Sequence, residues 1–199
     1  MTVREELREA TREVHEALHR AAPFARIADG EMDLESYGAL LQFLHRYHGL
    51  MAGACEAGAM ALDAPELAAA HQARIAALEQ DMDFLGVTPK AGLAETAQGA
   101  FAIGCLYTVQ GSTLGGKVIS RQLDALLDGK DGRRFFEGAV QDGANWRLLC
   151  QKLEQQTQLD TIIEGARHAF ARFGAVLASE NPVPRPMSPA NGAVPIQSV

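Results

Sequence analysis

Aromatic residues make up only 6% of this 199-residue chain, against a hydrophobic fraction of 47% carried largely by alanine and leucine. Strands draw on aromatic and β-branched side chains, so this balance excludes a β-sandwich and predicts an all-α protein. Cysteine is also scarce. Cys55, Cys105 and Cys150 are widely spaced and form no C-x-x-C pair, which excludes a zinc ribbon or a disulfide framework. No run of 18 apolar residues exists, so no transmembrane helix is expected. The opening MTVREELREATREVHEAL is charged and lacks the apolar core of a signal peptide, so a reduced, cytoplasmic location is expected. Excess positive charge is missing as well. A net charge of −7 argues against non-specific binding to nucleic acid or to an anionic membrane. There are no internal repeats, no G-x-S-x-G elbow, no Walker A motif and no G-x-G-x-x-G following a strand.

What remains is helical patterning. Thr2 and Glu5 form a capping-box pair that opens a helix carrying Val3, Leu7, Ala10, Val14 and Leu18, and Pro23 ends the segment. Asp29-Gly30 marks a turn, and Asp33 caps a long helix over 33–60. Pro65 starts another, through His71 to Leu85, which Gly86 and Pro89 close. A helix over 93–127 contains a glycine cluster and bends or breaks there. A short piece at 133–136 and helices at 145–156 and 161–177 follow. The Pro-rich remainder, 180–199, is expected to be a disordered tail, leaving one all-α domain over 1–179.

The glycine cluster is the anomaly in this pattern. Gly111, Gly115 and Gly116 fall at i, i+4 and i+5 within GCLYTVQGSTLGGKVIS, and each interior glycine costs about 1 kcal/mol relative to alanine. A face without Cβ atoms lets the backbone lie against something broad and flat, or against another helix. Histidines offer the complementary chemistry. His15, beside the apolar stripe of the first helix, is either an inward metal ligand or a residue at a helix border. His15 and His19 make one H-x-x-x-H pair, and His45 and His48 are also one turn apart; two nitrogens alone make a poor zinc site. Glu16-x-x-His19 with Glu164 and His168 has part of a di-iron spacing, without a second E-x-x-H. Ser112 within G-S-T-L-G lies mid-helix and not on a strand-to-helix elbow, which rules it out as a nucleophile. His15 paired with the glycine helix is different: a five-coordinate haem needs one axial imidazole and an opposite wall that leaves the sixth position open.

LREATREVHEALH and YTVQGSTLGGKVISRQL together resemble the haem oxygenase family, especially its bacterial members, with similarity from about Leu7 to Leu177 and including GRRFF at 132–136. The resemblance implies a single-domain bundle with haem sandwiched between the first helix and a glycine-kinked distal helix. In it His15 is the axial ligand of the haem iron, and Arg8 and Tyr107 contact the propionates. Gly111, Gly115 and Gly116 form the distal wall. Ser112 stands where the animal enzymes carry an aspartate that anchors a water network, so Gly111, Ser112 and Gly115 are the expected catalytic set. Lys117, Arg167 and Arg172 are either further electrostatic contributors or solvated cations. Phe43, Phe170 and Phe173 either line the ring edge or pack the core, and Trp146 is expected near the distal pocket. The implied reaction is the oxygen-dependent opening of haem to biliverdin, carbon monoxide and ferrous iron. Haem b is then both cofactor and substrate, with O2 and electrons from an external ferredoxin or flavoprotein reductase, and a bilin-accepting photoreceptor is a candidate recipient of the product. Two competing readings are a haem-sequestering protein without turnover and a non-haem di-iron oxidase.

Overall fold

Some helix starts have their free N–H groups satisfied by side chains in the computed structural model, which describes residues 2–180 except 20, 21, 91 and 130. Thr2 and Glu5 close the reciprocal capping box, with Thr2 N–H donating to Glu5 Oε2 at 2.8 Å and Glu5 N–H to Thr2 Oγ1 at 3.2 Å. They open α1 (Val3–His19), which is followed by the short α2 (Ala22–Ala28). Asp33 Oδ1 accepts from Ser36 N–H at 2.7 Å and caps α3 (Leu34–Ala61). Pro65 occupies the first turn of α4 (Pro65–Phe84). The chain then forms α5 (Gly99–Gly111), a 3-10 turn over Ser112–Gly115, α6 (Gly116–Gln122), α7 (Arg134–Glu137), α8 (Asp142–Leu153) and α9 (Leu159–Glu180). The described residues are all helix, turn or irregular chain, in line with the all-α expectation. None of their helices is long and apolar enough to cross a membrane. The Pro-rich segment expected to be disordered lies, from residue 181, outside the described residues.

Two expectations need correction. The helix expected from 93 begins at Gly99, whose φ of +54° is left-handed. Residues 92–98 are held irregular by tertiary bonds: Glu95 N–H donates to the Leu50 carbonyl at 2.8 Å, and its carboxylate pairs with Arg172 at 2.6 Å and His168 at 3.0 Å. The helix expected at 145–156 starts earlier, at Asp142, and stops at Leu153.

The core is organised around α5, which is buried between α3 and α9. Glycine sets these crossings. A Cβ on Gly104 would lie 1.9 Å from the Ile162 carbonyl oxygen, and one on Gly165 would lie 2.0 Å from that of Phe101. On the α3 side, a Cβ on Gly58 would lie 2.5 Å from the Ala102 carbonyl oxygen. The three helices therefore meet backbone to backbone, and no other residue fits at those points. Thr108 reinforces the crossing by donating to the Ala166 carbonyl at 3.1 Å. One apolar cluster fills the space around α5, α8 and α9, with Leu106, Leu149 and Ile162 fully buried. A second, around Tyr37, Leu41, Leu78 and Phe136, joins α3 and α4 to α6 and α7.

Buried polar groups complete the second cluster. Asp81, fully buried on α4, accepts from the N–H groups of Arg134 and Phe135 at 2.8 and 2.9 Å and so caps α7 from another helix. His48 on α3 and His71 on α4 meet at 3.1 Å between ring nitrogens. Burial drives both imidazoles toward the neutral form, with His71 pushed down to about 4 and His48 also well below the usual range.

Gly104→Ala is expected to lower the unfolding free energy by about 3 kcal/mol, because backbone cannot yield to the new methyl as a flexible side chain would. Gly49→Ala, in a position on α3 where a Cβ meets nothing within 4 Å, should be neutral or stabilise by up to about 1 kcal/mol. Urea denaturation of the two variants checks the contrast. The histidine pair predicts a pH dependence. The unfolded chain binds protons on these rings near pH 6.5 and the native state does not, so stability is full above about 6.5 and falls as the pH drops toward 4. His71→Gln should flatten that slope in urea midpoints measured between pH 7 and pH 4.5.

Candidate functional site

The first helix is tied down by polar groups more than by burial. Leu7 and Thr11 are the buried residues of α1 among those described, and Val14 and Leu18 stay half-buried. Its first free N–H groups, those of Val3 and Arg4, donate to the Glu154 carboxylate at the end of α8, at 3.0 and 3.3 Å. Midway along, the Ala10 carbonyl accepts from Arg167 Nε at 3.2 Å, which binds α1 to α9. Thr11 folds its hydroxyl back onto the Leu7 carbonyl at 2.8 Å. On this anchored helix His15 is solvent-exposed, with its ring edge-on to Phe170 of α9 at 6.2 Å between centroids. An exposed imidazole on a fixed helix is chemically able to ligate a metal or an iron-porphyrin from one side.

The glycine cluster divides into two kinds when tested by what a Cβ would meet. At Gly116 it would lie 2.7 Å from the Phe136 carbonyl oxygen, so this residue is required for α6 to pack on α7. At Gly115 a Cβ meets nothing within 4 Å. At Gly111 it meets only the rim of the Trp146 indole at 3.6 Å, an ordinary contact. Packing within the protein requires glycine at neither 111 nor 115. The Ser112 hydroxyl donates to the Val109 carbonyl at 2.7 Å, satisfying an acceptor left free where α5 tightens into the 3-10 turn. Its proton is thereby committed, and its oxygen keeps lone pairs for accepting.

Several of the expected residues come together. Tyr107 stacks in a tilted arrangement with Trp146 at 5.6 Å between centroids, and Trp146 touches Gly111. Burial pushes the Tyr107 hydroxyl up, and the positive charges of Arg4 and Arg8 on α1 oppose that rise. Arg8 and Tyr107, far apart in sequence, thus share one electrostatic neighbourhood, and α8 is the element that touches both α1 and the 112–115 turn. Other candidates are drawn elsewhere. Arg172 is paired with Glu95, Arg167 with the α1 backbone, and Lys117 is exposed. Phe43 is buried against Phe173 in the core at 4.8 Å. Glu16 and Glu164 are exposed and His168 pairs with Glu95, while the His19 side chain lies outside the described residues. Among the described residues no group of three or more His, Cys, Asp or Glu forms a metal cluster, so the di-iron arrangement is not assembled.

Two residues escaped the sequence reading. Arg4 precedes Arg8 by one helical turn, a spacing that places both on one face, and it reaches the Cys150 thiol. Gln110, the polar residue just before Gly111 in an apolar run, is buried and donates to the Leu67 carbonyl at 3.0 Å, fastening the end of α5 to α4.

Comparison with known proteins identifies the family and the fold. The Heme oxygenase family model matches residues 1–179. A heme oxygenase from Xanthomonas campestris pv. campestris is 33% identical over 161 residues, covering 77% of this chain and 96% of its own length. The NO- and CO-bound heme oxygenase from Neisseria meningitidis superposes with a TM-score of 0.73 at 25% identity, covering 98% of this chain and 100% of that one. Heme oxygenase-1 from the cyanobacterium Synechocystis, solved in complex with heme, shares the fold at a TM-score of 0.66 and 19% identity, over 90% of this chain and 92% of that one. The Leptospira interrogans enzyme does so at 0.69 and 18%, over 90% and 100%. A family match across all the described helices, and a relative above 30% identity over most of its length, establish that this chain belongs to the haem oxygenase family.

Proposed function

We propose that residues 1–179 bind haem between α1 and the 111–115 segment and open it oxidatively to biliverdin, carbon monoxide and ferrous iron. Haem, as the substrate, brings the iron at which oxygen is reduced and the macrocycle that is cut. The observation that carries the assignment is the pair of glycines that internal packing does not require: at Gly115 a Cβ meets nothing, and at Gly111 it makes only an ordinary contact. A bare backbone there lets a flat ring approach closely, and places no acidic or basic side chain over its centre. Gly116, expected as a third ring contact, is reassigned to the packing of α6 on α7.

The chain's own residues then have distinct tasks. His15 presents a neutral imidazole from α1 as the axial ligand, and histidine ligation, unlike thiolate, does not push toward O–O cleavage. Arg8, with Arg4 beside it, supplies positive charge for a propionate, and the Tyr107 hydroxyl donates a hydrogen bond to it. A tyrosine hydroxyl is protonated at neutral pH, and burial raises Tyr107 further, so it stays a donor there. The Ser112 hydroxyl, already donating its hydrogen bond to the Val109 carbonyl, can accept a hydrogen bond on its oxygen from water beside the open face. Trp146 walls the inner edge of that face. Oxygen is the co-substrate, and electrons come from an external ferredoxin or flavoprotein reductase. The cytoplasm is the compartment where such donors and reduced cysteines coexist. The reaction serves iron acquisition through the released ferrous iron, or supplies the bilin to a chromophore-accepting photoreceptor.

Titration of the haem-free protein with haem should give one histidine-ligated Soret band. Reductant in air should then replace it with a biliverdin spectrum, whereas a stable oxygen complex would mark a haem carrier instead. His15→Ala should remove the ligation signature and slow turnover by at least about a hundredfold, with the fold retained by circular dichroism. Gly115→Ala should leave thermal stability unchanged, or raised by up to about 1 kcal/mol, while weakening haem binding or turnover by at least about tenfold. Loss of stability in Gly115→Ala without loss of haem binding would reverse the assignment of that glycine.

A further inference from the structure

A cavity of about 610 Å³ lies between α4, α7 and the start of α8, and neither His15 nor Gly111 nor Gly115 lines it. This size is typical of small-molecule sites. One wall is alanine, with Ala70, Ala73 and Ala77 on successive turns of α4, and Phe135 of α7 adds an aromatic surface. Arg74 also lines it. This arginine is only 7% exposed, and its guanidinium lies 4.3 Å above the Phe135 ring centroid. Its Nε has no hydrogen-bond partner. The facing carboxylate, Asp142 Oδ2, stands 3.8 Å away, beyond hydrogen-bond distance, and already accepts from the Ala139 N–H at 2.9 Å.

A buried guanidinium in this condition is unusual. Charges removed from water are ordinarily both paired and hydrogen-bonded, because desolvation costs several kcal/mol per ion. The neighbouring His48 and His71 rings are held neutral by burial, so they neither share nor balance the charge. Burial lowers Arg74 only to about 10, which leaves it cationic at neutral pH. The guanidinium of Arg74, a residue of the cavity lining, carries a planar fork of donors that matches the two oxygens of a carboxylate. The alanine wall beside it suits a short hydrocarbon body. Glu66, Glu137 and Asp142 also line the cavity against Arg74 and Arg134, a slight negative excess that weakens every anion and multiply charged oxyanions most.

We propose that this cavity is a second ligand site that binds a monocarboxylate with a short apolar tail, the carboxylate on Arg74 and the tail along the alanine face of α4. The site takes no part in haem ligation. Trp146, the single tryptophan of the chain, follows Asn145, which lines the cavity, and so serves as an internal reporter.

The test titrates hexanoate into the haem-free full-length protein and follows Trp146 fluorescence and heat release, with acetate and inorganic phosphate as comparison anions. Hexanoate should saturate below about 20 mM, with acetate and phosphate at least about tenfold weaker. Arg74→Met, which replaces the cation with an apolar chain of similar length, should weaken hexanoate by at least about tenfold. Ala70→Leu, one turn from Arg74, should do the same by filling the cavity while leaving the guanidinium intact. Both variants should keep their helical circular dichroism and their haem titration. The proposal is overturned if hexanoate fails to saturate, if phosphate binds as tightly as hexanoate, or if both folded variants bind hexanoate like the parent chain.

Discussion

The bare crossing of α5 over α9, with α3 pressed to the other side, is the contact on which the remaining geometry depends. Gly104 and Gly165 each occupy a point where one methyl group would overlap a backbone carbonyl, and Gly58 does the same toward α3. Helices meeting at backbone distance cannot slide without opening a gap or forcing a clash, since packed interiors do not deform continuously. The end of α5 is therefore fixed in space, and Gln110 and Thr108 add polar ties to α4 and α9. Only because α5 is so held can the chain tighten into a 3-10 turn at 112–115 and leave Gly111 half-buried and Gly115 exposed without losing its course. The freedom of the proposed ring face is a consequence of the rigidity behind it.

The opposite wall is held by other means. α1 buries little of its own surface, and its position rests on a cap lent by Glu154 of α8 and on Arg167 of α9 reaching its backbone. Such ties set position and orientation while leaving His15, Arg8 and Arg4 on accessible surface. On the proposed function, a helix that accepts a large planar substrate gains from this arrangement. The substrate can supply apolar contact for half-buried residues such as Val14 and Leu18, a role that intramolecular packing would otherwise take. α8 touches both walls and carries Trp146, so it sets the spacing between them.

Much of this was readable in the residue order, and for a physical reason. Capping boxes, N-terminal prolines and helical periodicity act over three to seven residues, so α1, α3 and α4 emerged with nearly correct limits. The histidine and glycine motifs were legible because their chemistry is local. The division of the glycines was not. Gly111, Gly115 and Gly116 look alike in sequence, and only the position of the Phe136 carbonyl separates the last from the others. The start of α5 was misplaced for a similar reason: Glu95 is held by Leu50, His168 and Arg172, all distant in sequence. The His48–His71 pair, the capping of α7 by Asp81 and the loose pairing of Arg74 with Asp142 likewise join residues on different helices, and no local pattern encodes them.

A crystal structure of the haem-loaded protein tests most directly which backbone faces the ring. The expected result is His15 Nε2 bound to the iron on one side, with the Cα atoms of Gly111 and Gly115 in van der Waals contact with the other face and Gly116 still packed on Phe136. Iron ligated by another histidine, or a ring seated away from the 111–115 segment, would contradict it.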